Sequence, residues 1–275
     1  MNNFFKADRF GMFFLYELNN ARASFGLSLL IVGLMPAIIF FFNELFSVVF
    51  TRNLMTLDQS VKIACLVFCL LVIFISAPAK LYGKLTDKRK GSDWLMIPAS
   101  SFEKFLSMVV ILCVVLPVAY LVLGAGSDML LSAVFPSTYG SSLTLQMFSS
   151  ISRGVNSWNG DGVITFSKAG VIGIYYASFC INILAFALGA ICFKRSKGGK
   201  TILCMFAFSV LLSFILVSIF GHNMSIDSDD MEVFFKSLNP ERIQQTVNFL
   251  ASLTVFIFLG GLLVANYFRI KTIKH

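Results

Sequence analysis

Six long apolar runs, none containing a charged residue, are the feature of this sequence that most restricts its fold. A helix needs about 20 apolar residues to cross about 30 Å of hydrocarbon. With 57% hydrophobic and 13% charged residues in 275, a soluble domain of this size has too little interior for its apolar side chains. We therefore predict an all-α polytopic membrane protein, a single domain over residues 1–275, with transmembrane helices at about 25–42, 63–79, 105–126, 169–193, 201–221 and 246–268.

The basic residues are distributed unequally between alternate loops. Residues 1–24, 80–104, 194–200 and 269–275 hold sixteen of the 22 Lys and Arg, whereas nine of the fourteen acids lie in the other loops. Because cytoplasmic loops are enriched in Lys and Arg, both termini are predicted to be cytoplasmic, with the chain crossing the membrane several times. The net charge of +8 is explained by this orientation and predicts no nucleic-acid partner.

The N-terminal segment is not a cleavable signal peptide by its pattern, because Asp8 and Glu17 interrupt it. Residues 4–20 are rich in Phe and carry Lys6 and Arg9. This composition predicts a short helix that lies at the membrane interface, before the first transmembrane helix.

The apolar runs contain none of the residue types that usually drive chemistry. We expect no buried ionisable group that could couple transport or perform catalysis, so the chain is predicted not to be an enzyme. His222 and His275 lack the neighbours of a zinc site or a nucleophilic triad, and the six cysteines are interpreted as core packing. No catalytic, metal or cofactor site is predicted.

One short motif imitates a nucleotide site. Residues 198–201 read Gly-Gly-Lys-Thr, as at the end of a Walker A loop, but position 194 is Lys where the first glycine should stand. We interpret the segment as a basic connection between two helices, so ATP is not expected to bind this chain.

The loop 80–104 combines a basic cluster with an apolar group and a helix-start signal. Trp94 to Pro98 form the apolar group, and Ser100 with Glu103 has the spacing of a capping box, which predicts a helix start at about Ser101. The apolar group could lie on the membrane through Trp94, or it could enter a groove on a cytoplasmic partner.

A family resemblance favours the partner. Residues 95–105, LMIPASSFEKF, resemble the "LPxS…EKF" stretch of the integral-membrane subunits of ABC-2-type ABC exporters, particularly those of Bacteroidetes-like bacteria, although Ile97 stands where Leu is usual. The resemblance implies that the 84–98 loop docks on a separate ABC ATP-binding subunit. It also implies a second permease subunit, as a homo- or heterodimer. The docking candidates it implies are Lys88, Arg89, Trp94, Leu95, Met96, Ile97 and Pro98.

Two other function classes remain open beside an exporter permease. A non-transporting membrane anchor or scaffold subunit would use the same loop to bind a partner without ATP hydrolysis. An enzyme acting on membrane lipid is disfavoured by the missing His and intramembrane acids.

The remaining predictions concern loops and helix shape. The loop 127–168 contains Asn159-Gly160, which predicts a small hairpin leading into 163–166, and the loop is either a cap or a substrate gate. The loop 222–245 carries an acidic cluster, interpreted as a solvated helix start rather than a cation site. Pro36, Pro78 and Pro117 are predicted to kink or end helices. Gly189, Gly260 and Gly261 are predicted to allow close approach of neighbouring helices.

Overall fold

The computed structural model describes residues 5–52, 56–86, 94, 96–153, 156–157, 164–165, 168–194, 196–221 and 240–272. Helices dominate the described part of the chain. In order they are α1 (Ala7–Gly33), α2 (Met35–Thr51), α3 (Gln59–Leu81), a 3₁₀ turn (Gly83–Thr86), α4 (Ser101–Val110), a π-helical turn (Ile111–Val115), α5 (Leu116–Val134), α6 (Leu143–Arg153), α7 (Lys168–Cys192), α8 (Lys197–Gly221) and α9 (Pro240–Thr272).

The protein has the architecture of an all-α polytopic membrane protein. Five helical stretches in the described residues are long and apolar enough to cross a bilayer, and the bent pair α1–α2 makes a sixth if it counts as one span. These five stretches are Gln59–Leu81, Ser101–Val134, Ile172–Cys192, Lys197–Ile215 and Ser252–Thr272. Each overlaps one of the predicted spans after the first, in the same order.

The helix predicted at 4–20 is not separate from the first apolar run. Helix α1 continues unbroken through Asn20 to Gly33, because nothing between these residues prevents helical hydrogen bonding. The break comes instead at Leu34, where α2 turns away by 44°. The predicted first span, 25–42, therefore crosses a break. Pro36 lies in the first turn of α2 and causes it, since proline cannot donate a helical hydrogen bond.

Side chains from neighbouring helices satisfy the carbonyls freed at this break. The Cys69 thiol lies 3.6 Å from the Val32 carbonyl oxygen, and the Ser127 hydroxyl donates to the Gly33 carbonyl at 3.1 Å. Unsatisfied backbone groups are costly in hydrocarbon, so these contacts allow a broken helix within a membrane bundle.

The four predicted basic segments lie together at one end of the helix bundle. We call it the basic end, and we call the opposite end, where residues 135–142 lie, the Tyr139 end. The grouping follows from contacts that join α1 to α4, α4 to α9, and the 3₁₀ turn to α7 and α8: Arg9 with Glu103, Phe105 with Tyr267, Thr86 with Ala190, and Lys197 with Gly83.

The predicted hairpin in the 127–168 loop is confirmed. Asn156–Ser157 (β1) pairs antiparallel with Ile164–Thr165 (β2), with Asn156 opposite Thr165. The turn predicted at Asn159-Gly160 falls on residues outside the described part of the chain, between the two strands in sequence.

Helices α4 and α5 are joined without a break by the π-helical turn, which precedes Pro117. Proline lacks an N–H group, so it cannot donate to the carbonyl of Cys113 four residues earlier. The Tyr176 hydroxyl of α7 donates to this carbonyl at 2.7 Å. The kink predicted at Pro117 therefore takes the form of a π turn whose free carbonyl is satisfied by a neighbouring helix.

We expect Tyr176→Phe to lower the free energy of unfolding by about 1–3 kcal/mol, because it leaves the Cys113 carbonyl without a donor. Thermal unfolding of the detergent-solubilised protein measures the loss. Tyr175→Phe is a matched control, since it removes the hydroxyl of the neighbouring tyrosine on the same helix. Equal stabilities of the two variants would contradict this role for the Tyr176 hydroxyl.

Glycine at 189 permits a close approach, as predicted, whereas the pair at 260–261 does not. A Cβ at Gly189 would overlap the side chain of Thr201 on α8. A Cβ at Gly260 or Gly261 would meet nothing within 4 Å in the described part of the chain, so the predicted close packing is not seen between its own described helices.

Candidate partner-docking surface

The capping box predicted at the start of α4 is confirmed. The Glu103 backbone N–H donates to the Ser100 hydroxyl at 3.2 Å, and the Ser100 N–H donates to the Glu103 carboxylate at 2.8 Å. These two bonds satisfy N–H groups that a helix start otherwise leaves free. They fix the point where the 80–104 loop becomes helix, directly after Pro98 and Ala99.

Glu103 has a second role that its spacing from Ser100 did not reveal. The side chain is fully buried and pairs with Arg9 at 2.7 Å, in a two-pronged contact through the Arg9 Nε and Nη2 atoms. It also accepts from the Lys6 backbone N–H at 3.0 Å. The start of α1 is therefore tied to the start of α4.

Trp94, a predicted docking residue, is held inward against the protein. Its indole N–H donates to the Glu17 carboxylate at 2.8 Å, and its ring lies edge-on to Phe13, with 6.4 Å between the ring centroids. The Lys104 ammonium lies 4.7 Å from the Trp94 ring centroid and donates to the Trp94 carbonyl at 2.8 Å. Trp94 thus anchors the loop to α1 and α4.

Glu17 is the centre of a buried polar cluster. The side chain is 5% exposed, and it accepts from the Ser107 hydroxyl at 2.5 Å as well as from Trp94. The Tyr82 hydroxyl bonds to the same carboxylate. Burial, and to a lesser degree the Glu17 charge, raises the pKa of Tyr82 well above its usual range, so this hydroxyl remains a donor.

The expectation that the protein buries no ionisable group is therefore wrong. Glu17, Glu103 and Lys104 are buried at the basic end, and Lys62 and Asp128 are buried near the Tyr139 end. The charges flank the apolar runs in sequence. The helices continue past the ends of those runs, so they carry the flanking charges into the packed protein, where hydrogen bonds and opposite charges compensate them.

Two of the predicted docking residues point outward. Met96 is 81% exposed, the highest value among the large hydrophobic side chains of the described residues, and Pro98 is exposed. Ile97 is half-buried. Lys88, Arg89 and Leu95 lie outside the described residues. The candidate docking surface therefore consists of residues 96–98. They follow Trp94, which attaches this part of the loop to α1 and α4.

The polar cluster at the Tyr139 end holds a turn in place. The Tyr139 hydroxyl donates to the Asp128 carboxylate at 2.5 Å, and the Lys62 ammonium donates to the Ser141 carbonyl at 3.0 Å. Burial, followed by Asp128, raises the pKa of Tyr139, which keeps its hydroxyl protonated. Thr144 also donates to Asp128. Asp128 and Lys62 here act as structural groups rather than as a site open to a substrate.

Other motifs show no chemistry in the described residues. Cys65, Cys69, Cys113 and Cys180 are buried free thiols, whereas Cys192 and Cys204 are free and exposed. No group of three metal-ligating side chains is close enough to hold an ion in the part of the chain that the structure describes. The Gly-Gly-Lys-Thr segment lies in the first turns of α8, not in a strand-to-helix loop.

No protein-family model, curated protein or solved structure matches this chain.

Proposed function

We propose that this chain is the permease subunit of an ABC exporter, driven by a separate ATP-binding subunit that docks on the 84–98 loop. The observation that carries the proposal is Met96, an apolar side chain 81% exposed two residues after Trp94, which is bonded to α1 and α4. An exposed apolar residue on a rigid support is the usual form of an anchor for a partner's pocket.

The attachments of this loop support a mechanical role. At one end the 3₁₀ turn contacts two other helices: Thr86 donates to the Ala190 carbonyl of α7 at 3.2 Å, and Lys197 of α8 bonds to the Gly83 carbonyl. At the other end Trp94 is bonded to α1 and α4. A displacement of the loop by a partner would therefore be transmitted to four helices together.

The proposed arrangement places the basic end in the cytoplasm of a bacterial cell and the Tyr139 end outside the inner membrane. The excess of Lys and Arg in the segments of the basic end supports it. Two copies, or one copy with a related subunit, would form the transport path between them. Helix α8 is almost entirely exposed and offers a surface for lipid or for this second subunit.

We expect Met96→Asp to abolish copurification of the ATP-binding subunit without lowering the melting temperature. A charge at the centre of an apolar contact leaves an uncompensated group when the contact forms, which weakens binding by roughly tenfold or more. The tagged chain is purified in mild detergent from its native membrane, and bound partners are probed by photolabelling with an azido-ATP analogue. Met147→Asp, at the Tyr139 end, is the matched control because Met147 is also exposed.

If the Met96→Asp variant still exported substrate and its copurified partner were labelled by azido-ATP as strongly as that of the parent protein, the docking assignment would be refuted. The outcome also separates the proposal from the alternative, a non-transporting anchor or scaffold subunit. For a scaffold, Met96→Asp would release a partner that does not bind ATP. Trp94 is the wrong residue for this experiment, because its substitution would disturb the support as well as the surface.

A further inference from the structure

A groove at the Tyr139 end combines apolar walls with a single acidic group. It has a volume of about 620 Å³ and runs between α2 and the turn that follows α5. This volume lies in the range of small-molecule sites. The lining residues are mainly aromatic and aliphatic: Phe40, Phe41, Glu44, Leu45, Val48, Val49, Phe135, Ser137 and Thr138.

The acidic group, Glu44, lies in a strongly apolar helix. The Oε1 atom of Glu44 is shielded from solvent and has no hydrogen-bond partner among the described residues. The next two residues of α2, Leu45 and Phe46, are exposed apolar side chains, as expected for a lipid-facing helix. A carboxylate oxygen that is shielded from solvent and accepts no hydrogen bond is costly unless a positive group compensates it, so Glu44 indicates a site for a cation.

Three phenylalanine rings stand beside this carboxylate. The Phe40 ring lies 5.4 Å from that of Phe41 and 5.3 Å from that of Phe135, and the Phe41 and Phe135 rings are 6.3 Å apart. Phe40 is buried, whereas Phe41 and Phe135 remain exposed toward the groove side of the protein. Ring faces attract cations and pack against apolar groups, so these rings favour the same ligand as the carboxylate.

We propose that this groove binds a lipophilic monocation, an amine or quaternary ammonium carried on an apolar body. The charge of Glu44 selects the sign, and the phenylalanines and aliphatic side chains accept the body. A zwitterionic phospholipid headgroup fits less well, because Glu44 is the one charged side chain among the described lining residues and no basic side chain among them would pair with a phosphate. The site does not depend on the proposed export function.

The test compares two ions of the same shape and opposite charge. Tetraphenylphosphonium and tetraphenylborate are titrated separately into the full chain in uncharged detergent, and binding is followed by equilibrium dialysis. We expect tetraphenylphosphonium to bind at least tenfold more tightly than tetraphenylborate. Equal binding of the two ions would show simple partition into apolar surface and would overturn the proposal.

Two variants locate the site. Glu44→Gln is expected to weaken tetraphenylphosphonium binding at least tenfold, whereas Asp8→Asn, at an exposed acid on the basic end, should leave it unchanged. Should Glu44→Gln fail to fold, Val48→Trp provides an independent test, because it keeps the carboxylate and fills the groove from an exposed position. Unchanged binding in a folded Glu44→Gln or Val48→Trp protein would place the cation elsewhere and overturn the assignment.

Two further measurements examine other occupants. Competition by phosphatidylethanolamine but not by phosphatidylglycerol would assign the groove to a lipid headgroup instead of a free cation. A change from dimer to monomer in Glu44→Gln or Val48→Trp, without any cation binding in the parent protein, would assign it to a second copy of the chain. Either result would overturn the proposal.

Discussion

Replacing Glu17 with alanine is expected to lower the free energy of unfolding by about 3–5 kcal/mol, because it leaves several buried donors without their acceptor and each unmade bond costs about 1–3 kcal/mol. The variant leaves the Trp94 indole N–H and the Ser107 hydroxyl without their acceptor. It also leaves the buried Lys104 ammonium without the nearby negative charge of Glu17. Each unsatisfied buried group adds to the loss.

The same variant should detach the docking loop, and tryptophan fluorescence can report this directly. The chain has two tryptophans, so Trp158→Phe leaves Trp94 as the single emitter. In that background Glu17→Ala should shift the Trp94 emission to longer wavelength and increase its quenching by acrylamide. Asp8→Ala is the matched control, an exposed acid on the same helix. An unchanged emission spectrum would show that Glu17 does not hold the loop.

The second large effect is expected for Gly189→Leu, which should destabilise the protein by about 3 kcal/mol, at the upper end of the usual range for overpacking. The new side chain would overlap Thr201. Thr201 cannot easily move away, because it is 4% exposed and its hydroxyl donates to the Lys197 carbonyl at 2.7 Å. Helices α7 and α8 would have to separate at the basic end.

Gly261→Leu provides the control for this substitution, since a Cβ there meets no described residue within 4 Å. Thermal unfolding in detergent should show a lower melting temperature for Gly189→Leu than for Gly261→Leu. A difference of less than about 2 °C would contradict the close approach of α7 and α8, because 1 kcal/mol shifts the melting temperature by about 2–4 °C in a protein of this size.

Local patterns were sufficient for the parts of the fold that depend on neighbouring residues. The predicted spans after the first lie within observed helices because hydrophobic length alone requires them. The capping box at Ser100 and the hairpin around Asn159-Gly160 were predictable because each depends on a few adjacent residues.

The contacts that build the candidate docking surface could not be predicted in the same way. Glu17 and Ser107 are 90 positions apart in sequence, and Arg9 and Glu103 are 94 apart. Glu103 borders the apolar run 105–126, where a charge usually marks the end of a membrane span, whereas Arg9 and Glu17 lie well before the run 25–42. One feature of the sequence could have indicated this cluster. Glu17 is a single acid between Tyr16 and Leu18 in an otherwise apolar stretch, and an acid in such a place can be buried and hydrogen-bonded as readily as it can be exposed to water.

The π-helical turn at Ile111–Val115 determines in which direction the side chains of α5 point. One additional residue per turn rotates every later side chain by about 100° around the axis, since an α-helix has 3.6 residues per turn. With this rotation Asp128 meets Tyr139 and Thr144. Deleting a single residue from 111–115 would swing that carboxylate away from both donors, so the spacing between Val110 and Leu116 is as important to the Tyr139 end as the identity of any residue in it.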